Sequence, residues 1–89
     1  MTTKKDFGAA LRNIRIQKQL PQESLGPSQS FISSIERGIR SPTLQKVEQL
    51  AVLLEISPLT LLAFAYLEED QTVDDLLITV REELRSLGK

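Results

Sequence analysis

The chain has 89 residues, carries a formal net charge of −1, and contains no cysteine and no histidine. This length fits one small domain. Without cysteine the chain has no disulfides and no thiolate metal sites. Without histidine it lacks the commonest general base and the commonest transition-metal ligand. We therefore expect a protein that is not an enzyme and holds no metal or other cofactor. No run of about 18 apolar residues and no signal-peptide pattern occurs, so we expect a cytoplasmic protein without a membrane partner.

The charges are unevenly divided along the chain. Residues 1–46 contain eight Lys and Arg against three Asp and Glu, a net of +5, whereas residues 47–89 contain three against nine, a net of −6. A near-zero total argues against binding nucleic acid, since binders are usually basic. The asymmetry between the halves indicates the opposite, because it concentrates positive charge on one side.

The first two predicted elements are helices. Apolar residues recur at helical spacing throughout, and no segment alternates as a strand does. Helix one is predicted over residues 6–19. Its apolar stripe consists of Phe7, Ala10, Leu11 and Ile14. A short helix two is predicted from about Pro21 to Leu25 or Gly26, because proline suits a first helical position and Gly26-Pro27 breaks a helix.

Helices three and four have clear boundary signals. Helix three is predicted over 28–37, with Ser28 as its N-cap and Gly38 at the left-handed position that ends many helices. Its inward face consists of Phe31, Ile32 and Ile35. Helix four is predicted over 42–55, because Ser41-Pro42 combines an N-cap with a proline at the first helical position.

Helices five and six complete the predicted elements. Helix five, over 58–67, starts with the same signal at Ser57-Pro58 and is apolar almost all round, so it needs cover on more than one side. Helix six is predicted over 73–87, with Thr72 and Asp75 suited to a capping box. A heptad seam like that of a coiled coil is formed by Val73, Leu77, Val80, Leu84 and Leu87.

A set of residues across helices two to five resembles a known family. The set reads Gln22-Glu23-Ser24-Leu25, Ser30-Phe31-Ile32-Ser33-Ser34-Ile35-Glu36-Arg37-Gly38, Ser41-Pro42-Thr43-Leu44, Leu50-Ala51 and Ile56-Ser57-Pro58. Over about residues 7–62 the chain resembles the Xre family of helix-turn-helix regulators, which includes the phage lambda-type repressors. The resemblance implies an all-α fold: a lambda repressor-like five-helix domain over 1–67 that docks its third helix in the DNA major groove. The amphipathic C-terminal helix, over 72–87, is added to it.

The chain departs from the family pattern in the turn of the motif. Between Gln22 and Ile32 it is shorter than most of the family by roughly four residues, about one helical turn. The gap falls at the end of helix two, where Gly26-Pro27 replaces the usual turn. The sequence therefore predicts a stunted helix two, and it leaves open whether the family's standard angle between helices two and three is kept.

The polar side of helix three fits a DNA groove. Its residues are small or hydrogen-bonding, as a groove about 12 Å wide requires of a helix that approaches the base edges. Glutamine can pair with adenine through two hydrogen bonds, and serine can donate to or accept from any base. We predict base contacts from Gln29, Ser30, Ser33 and Ser34, with Gln29 the strongest candidate. The alternative for this face is a solvated surface.

The resemblance assigns the remaining polar residues of the motif. The implied phosphate contacts are Gln22, Ser28, Arg37, Arg40 and Thr43. Arg15 and Glu36 are implied to form a buried or half-buried ion pair between helices one and three, which makes Glu36 structural. Lys4 and Lys5 form either a DNA-binding arm or a solvated terminus.

Helices five and six predict a second copy of the chain. The predicted dimer interface consists of Leu62, Tyr66, Val73, Leu77, Val80, Leu84 and Leu87. The alternative is that the seam of helix six packs on the domain of its own chain. The leading interpretation is a transcriptional regulator, a homodimeric repressor that reads a pseudo-palindromic operator in double-stranded DNA through helix 28–37, without a small-molecule effector. A restriction–modification controller has the same architecture. The alternative is an antitoxin or adaptor whose C-terminal helical region binds a partner protein, with DNA binding secondary.

Overall fold

The structure, a computed structural model, describes residues 7–89. The candidate arm at Lys4 and Lys5 and the predicted helix start at residue 6 lie outside this range. Within it every regular element is helical and there is no strand, which confirms the predicted all-α fold. The elements are α1 (Phe7–Gln17), a 3₁₀ turn (Gln22–Leu25), α2 (Gln29–Glu36), α3 (Leu44–Leu54), α4 (Pro58–Tyr66) and α5 (Val73–Ser86).

The predicted helix two is a single 3₁₀ turn of four residues. Pro21 is not its first helical residue, as the sequence suggested, but the extended residue before it, with φ −75° and ψ 163°. The backbone N–H of Ser24 donates to the carbonyl oxygen of Pro21 at 3.0 Å, the i→i+3 bond of a 3₁₀ helix, a form found in runs of this length. The turn still contributes to the interior through Leu25, which is 1% exposed.

The predicted start of helix four is wrong by two residues. Helix α3 begins at Leu44, because Thr43 rather than Ser41 is its N-cap. The hydroxyl of Thr43 accepts the backbone N–H of Lys46 at 3.1 Å. Pro42 therefore precedes the helix instead of opening it.

The predicted end of helix one is also wrong by two residues, because α1 ends at Gln17 and Gln19 has φ 60°. The predicted N-caps of helices three, five and six and the glycine after helix three are confirmed. The hydroxyls of Ser28 and Ser57 accept backbone N–H groups of α2 and α4 at 3.2 and 3.1 Å. Thr72 and Asp75 exchange the two hydrogen bonds of a capping box, at 3.0 and 3.2 Å. Gly38 has φ 79°, a left-handed conformation that glycine adopts without a Cβ penalty.

Four helices and the 3₁₀ turn surround one core. Helix α1 packs against α2 and α4, and α3 packs against α4 and the turn. The core consists of Leu11, Ile14, Leu25, Ile32, Ile35, Val47, Leu50, Ala51, Leu54 and Leu61. Phe31, predicted to face inward with Ile32 and Ile35, is only half-buried and packs at the edge of this core.

A glycine allows the first helix to approach the end of α2. A Cβ on Gly8 would overlap the carbonyl oxygen of Ile35 and lie 2.9 Å from that of Glu36. These are backbone atoms, so they cannot move aside as a flexible side chain does. Gly8 therefore sets how closely α1 packs on α2.

Helix α5 lies apart from this packing. It buries no residue and packs extensively on none of the other described elements. Leu76 is the residue of this helix that is half-buried, and the rest are exposed.

Across residues 7–89, no single helix has both the length and the apolar character needed to cross a membrane. Helices α3 and α4 meet the criterion only when taken together, and they are bent by 104° at the break between them.

Candidate nucleic-acid interface

Helix α2 presents a polar face on the side away from the core. Gln29, Ser30 and Arg37 are exposed, and Ser33 is half-buried. Ile32 and Ile35, on the opposite side, are each 1% exposed and anchor the helix. The structure therefore places three of the four predicted base-reading residues, Gln29, Ser30 and Ser33, where a ligand can reach them.

Ser34 requires a correction. It is 8% exposed, and its hydroxyl donates to the carbonyl oxygen of Phe31 at 2.7 Å. Its own carbonyl oxygen accepts the backbone N–H groups of Ile39 and Arg40, at 2.9 and 3.2 Å, which folds the next loop over it. Ser34 therefore anchors the loop that follows α2 and does not belong to the exposed face.

The implied pair of Arg15 and Glu36 is present. Arg15 Nε lies 2.7 Å from Glu36 Oε2, and Arg15 Nη2 lies 3.0 Å from Oε1, so the contact is bidentate. The two side chains are 12% and 2% exposed. Arg15 Nη1 also donates to the carbonyl oxygen of Leu20 at 2.8 Å. The pair joins α1 to the last turn of α2 and fixes the end of that helix.

The charges of this pair shift both pKa values. Burial raises the pKa of Glu36, but hydrogen bonds from Arg15 and Gln22, together with the charges of Arg15 and Arg12, outweigh it and lower the pKa overall. The hydrogen bond with Glu36 raises the pKa of Arg15 against the effect of its own burial. Both groups are therefore charged at neutral pH, and Glu36 contributes no free negative charge to the exposed face.

A further set of hydrogen bonds runs from the ion pair to the surface. Gln22 Nε2 donates to Glu36 Oε1 at 3.0 Å, and Gln29 Nε2 approaches Gln22 Oε1 at 3.4 Å. Gln22 is half-buried between them. The resemblance implied only a phosphate contact for Gln22, and no sequence pattern revealed its contact with Glu36, which depends on how the 3₁₀ turn packs on α2.

Two cations lie against the ring of Phe31. Arg40 Cζ is 5.7 Å and Lys46 Nζ is 5.4 Å from the ring centroid, both within the range of a cation–π interaction. Arg40 and the neighbouring Thr43 are exposed, as are Ser28 and Arg37. Sequence reasoning missed Lys46, because its proximity to α2 depends on the path of the loop between α2 and α3.

The predicted dimer residues lie mainly on α5 and are exposed. Their accessible fractions range from 43% for Val80 to 78% for Leu87, and Tyr66 at the end of α4 is 64% exposed. Leu62 differs, because it is half-buried against the core. Among residues 7–89 there is no group of three or more acidic side chains arranged to hold a metal ion.

Helix α2 has an exposed polar face and follows the 3₁₀ turn across a tight turn, and the ion pair of Arg15 and Glu36 holds its end. Two helical elements joined in this way, the second with a polar face free to bind, are the arrangement of a helix-turn-helix protein. The helix-turn-helix family matches residues 11–61, more than half of the chain, and the chain belongs to this family. It is a DNA-binding protein of the transcriptional-regulator class.

A solved structure is similar to the chain. It is the high-resolution crystal structure of the restriction–modification controller protein C.AhdI from Aeromonas hydrophila. The two are 38% identical and superpose with a TM-score of 0.60, over 63% of this chain and 91% of that chain. No match was found among curated proteins.

Proposed function

We propose that the chain is a homodimeric, sequence-specific regulator that reads a pseudo-palindromic operator through α2. The observation that carries this proposal is the exposed polar face of α2 within the segment that matches the helix-turn-helix family. Two such helices in a symmetric dimer address half-sites about 34 Å apart, one turn of DNA. Its site of action is the cytoplasm of the cell that holds the operator.

The residues of the face have separate roles in this proposal. Gln29 reads a base, and Ser30 and Ser33 contribute shorter contacts, since their side chains are accessible and of the right chemistry. The phosphate contacts are Ser28, Arg37, Arg40 and Thr43, all exposed. Gln22 positions Gln29 through the 3.4 Å contact and retains one amide hydrogen for a phosphate.

Dimerisation is proposed through α5, with Tyr66 and Leu62 of α4 beside it. The exposed apolar residues of α5 have no partner in their own domain that buries them. An isologous interface would remove them from water and set the spacing of the two α2 helices.

The simplest action is repression by occupying a promoter. The likeness to C.AhdI supports a second candidate, a controller that regulates a restriction–modification system. A reporter gene downstream of the selected operator distinguishes them, because repression only lowers expression, whereas a controller that activates raises it.

The adaptor interpretation predicts a chain that stays monomeric until a partner protein is added.

The experiment that tests the proposal is selection of double-stranded DNA from a random library by the purified chain. We expect enrichment of a pseudo-palindrome, and failure to enrich any symmetric sequence would contradict the proposal. Gln29→Ala should relax the preference at one base position of each half-site. The matched control is Gln49→Ala, because Gln49 is an exposed glutamine of α3 with no proposed base contact.

A further inference from the structure

Helix α5 has a continuous apolar seam without a covering surface. Val73, Leu77, Val80 and Leu84 leave between 43% and 57% of their surface exposed, and α5 buries no residue of its own. Their spacing of four, three and four residues puts them on one stripe of the helix. An exposed apolar patch on a folded domain marks an interaction site, and a second helix with an apolar stripe of the same spacing fits this one.

The charges beside this seam identify the partner. Asp74 and Arg81 are seven residues apart and therefore lie on the same flank of the seam, whereas Leu76 and Glu83 lie on the other. One flank thus carries an acid at its N-terminal end and a base at its C-terminal end. Such a flank is complementary to itself when the helix is turned end for end.

The two possible orientations of a helix pair use these flanks differently. A parallel pair sets unlike flanks together, with Leu76 against Arg81 and Glu83 against Gly88 of the other copy, and forms no ion pair. An antiparallel pair sets like flanks together, so Asp74 faces Arg81 of the other copy twice by symmetry. The helix dipoles also oppose each other in this orientation.

We infer that α5 pairs antiparallel with α5 of a second copy of this chain. Leu77 then lies opposite Val80 of the second copy and Val73 opposite its Leu84, with two ion pairs between Asp74 and Arg81. The inference rests on the proposed homodimer and adds its orientation and register. Two heptads are short for a free-standing coiled coil, so the pairing operates in the dimer of folded domains.

Cysteine cross-linking tests the orientation directly, because the chain has no cysteine of its own. In the antiparallel pair, position 73 is about 16 Å from its own counterpart, beyond the roughly 7 Å that a disulfide tolerates between Cα atoms. We expect Val73→Cys and Leu84→Cys chains to cross-link rapidly when mixed and not when oxidised separately. Efficient cross-linking of Val73→Cys with itself would overturn the inference in favour of a parallel pair.

A charge exchange tests the register. Asp74→Arg and Arg81→Asp should each raise the dissociation constant of the dimer roughly tenfold, because each creates two like-charge contacts. The double variant should return to within about threefold of the original chain. Glu82→Arg is the matched control for Asp74→Arg, since it makes the same charge change on the side of the helix away from the seam. Losses that simply add in the double variant would overturn the register.

The outcome can be separated from that of the proposed function. A chain that cross-links as expected but selects no DNA keeps the antiparallel pair and loses the regulator function. A chain that selects a pseudo-palindrome but gives no mixed cross-link keeps the function and loses this pair. A chain that sedimentation shows to be monomeric at micromolar concentration contradicts both. All five substituted positions are exposed. We therefore expect every variant to fold, and circular dichroism of each variant is the control for that.

Discussion

At the scale of single residues, Glu36 connects the stability of the domain with the placement of the exposed polar face of α2. Its carboxylate is 2% exposed and accepts hydrogen bonds from both Arg15 and Gln22. Removing the charge leaves the half-buried guanidinium of Arg15 without its counter-ion, which costs more than the pair itself contributes. The same contact holds Gln22, and through it Gln29.

The lowered pKa of Glu36 makes this contribution pH-dependent. Because the folded value lies below the ordinary 4.5, the stabilisation is fully present above that pH and is lost as pH falls through the folded pKa. Glu36→Gln should cost about 3 kcal/mol at pH 7 and should make unfolding less sensitive to pH below 4.5. Urea denaturation at a series of pH values measures both. Glu48→Gln, at an exposed position, is the control, and an unchanged acid dependence in Glu36→Gln would contradict the assignment.

Gly8 is a second residue whose role depends on packing rather than on local preference. Alanine in place of glycine inside a helix normally stabilises it by about 1 kcal/mol. Here the added Cβ meets the backbone of α2, so we expect Gly8→Ala to destabilise the domain by about 2 kcal/mol. Thermal unfolding checks the sign. Ala9→Gly, at an exposed position of α1, is the control for the helix preference of alanine over glycine alone. A higher melting temperature for Gly8→Ala would show that α1 and α2 are not in close contact at this position.

At the scale of elements, the end of α3 has a conformation that its sequence does not favour. Glu55 is the C-cap and has φ 61°, in the left-handed region where a Cβ is unfavourable. Glu55→Gly should therefore raise the free energy of unfolding by about 0.5–1 kcal/mol. Denaturant titration measures the change. Glu48→Gly, inside the same helix, should instead lower it by about 1 kcal/mol, and a loss of stability in both variants would refute the argument.

Local sequence predicted the elements better than it predicted their contacts. The caps at Ser28, Ser57 and Thr72 were predictable because each needs only a hydroxyl two or three residues before an amide. At α3 two hydroxyls, Ser41 and Thr43, compete for that position, and the prediction chose the wrong one. Sequence spacing cannot show which of the two hydroxyls caps the helix, because that depends on the path of the preceding loop.

The candidate site shows the same division between local and tertiary information. The polar face of α2 followed from helical periodicity, but the burial of Ser34 did not, since it depends on the loop that returns over the helix end. The approach of Lys46 to Phe31 likewise joins two elements. Contacts of this kind depend on packing between segments, which the pattern of one segment does not contain.

At the scale of the whole molecule, the near-zero net charge is the sum of two regions with opposite charge. Residues 1–46 carry +5 and include α2, whereas residues 47–89 carry −6 and include α5. A DNA backbone attracts the first region and repels the second, which orients the chain as it approaches. In the proposed complex the acidic region also limits attraction to DNA in general, and we expect specificity to depend more on the contacts proposed for α2.

The salt dependence of binding tests this division. Arg37 is exposed at the end of α2, and its replacement by alanine should weaken binding to all sequences and reduce the slope of log K against log salt by about 1. Arg85→Ala removes the same charge from α5 and should leave that slope unchanged, because no phosphate lies near it in the proposed complex. Titrations of a labelled operator and of an unrelated duplex over a salt series measure both effects. An equal reduction of slope in the two variants would mean that the chain responds only to total charge, and that the two regions do not act separately.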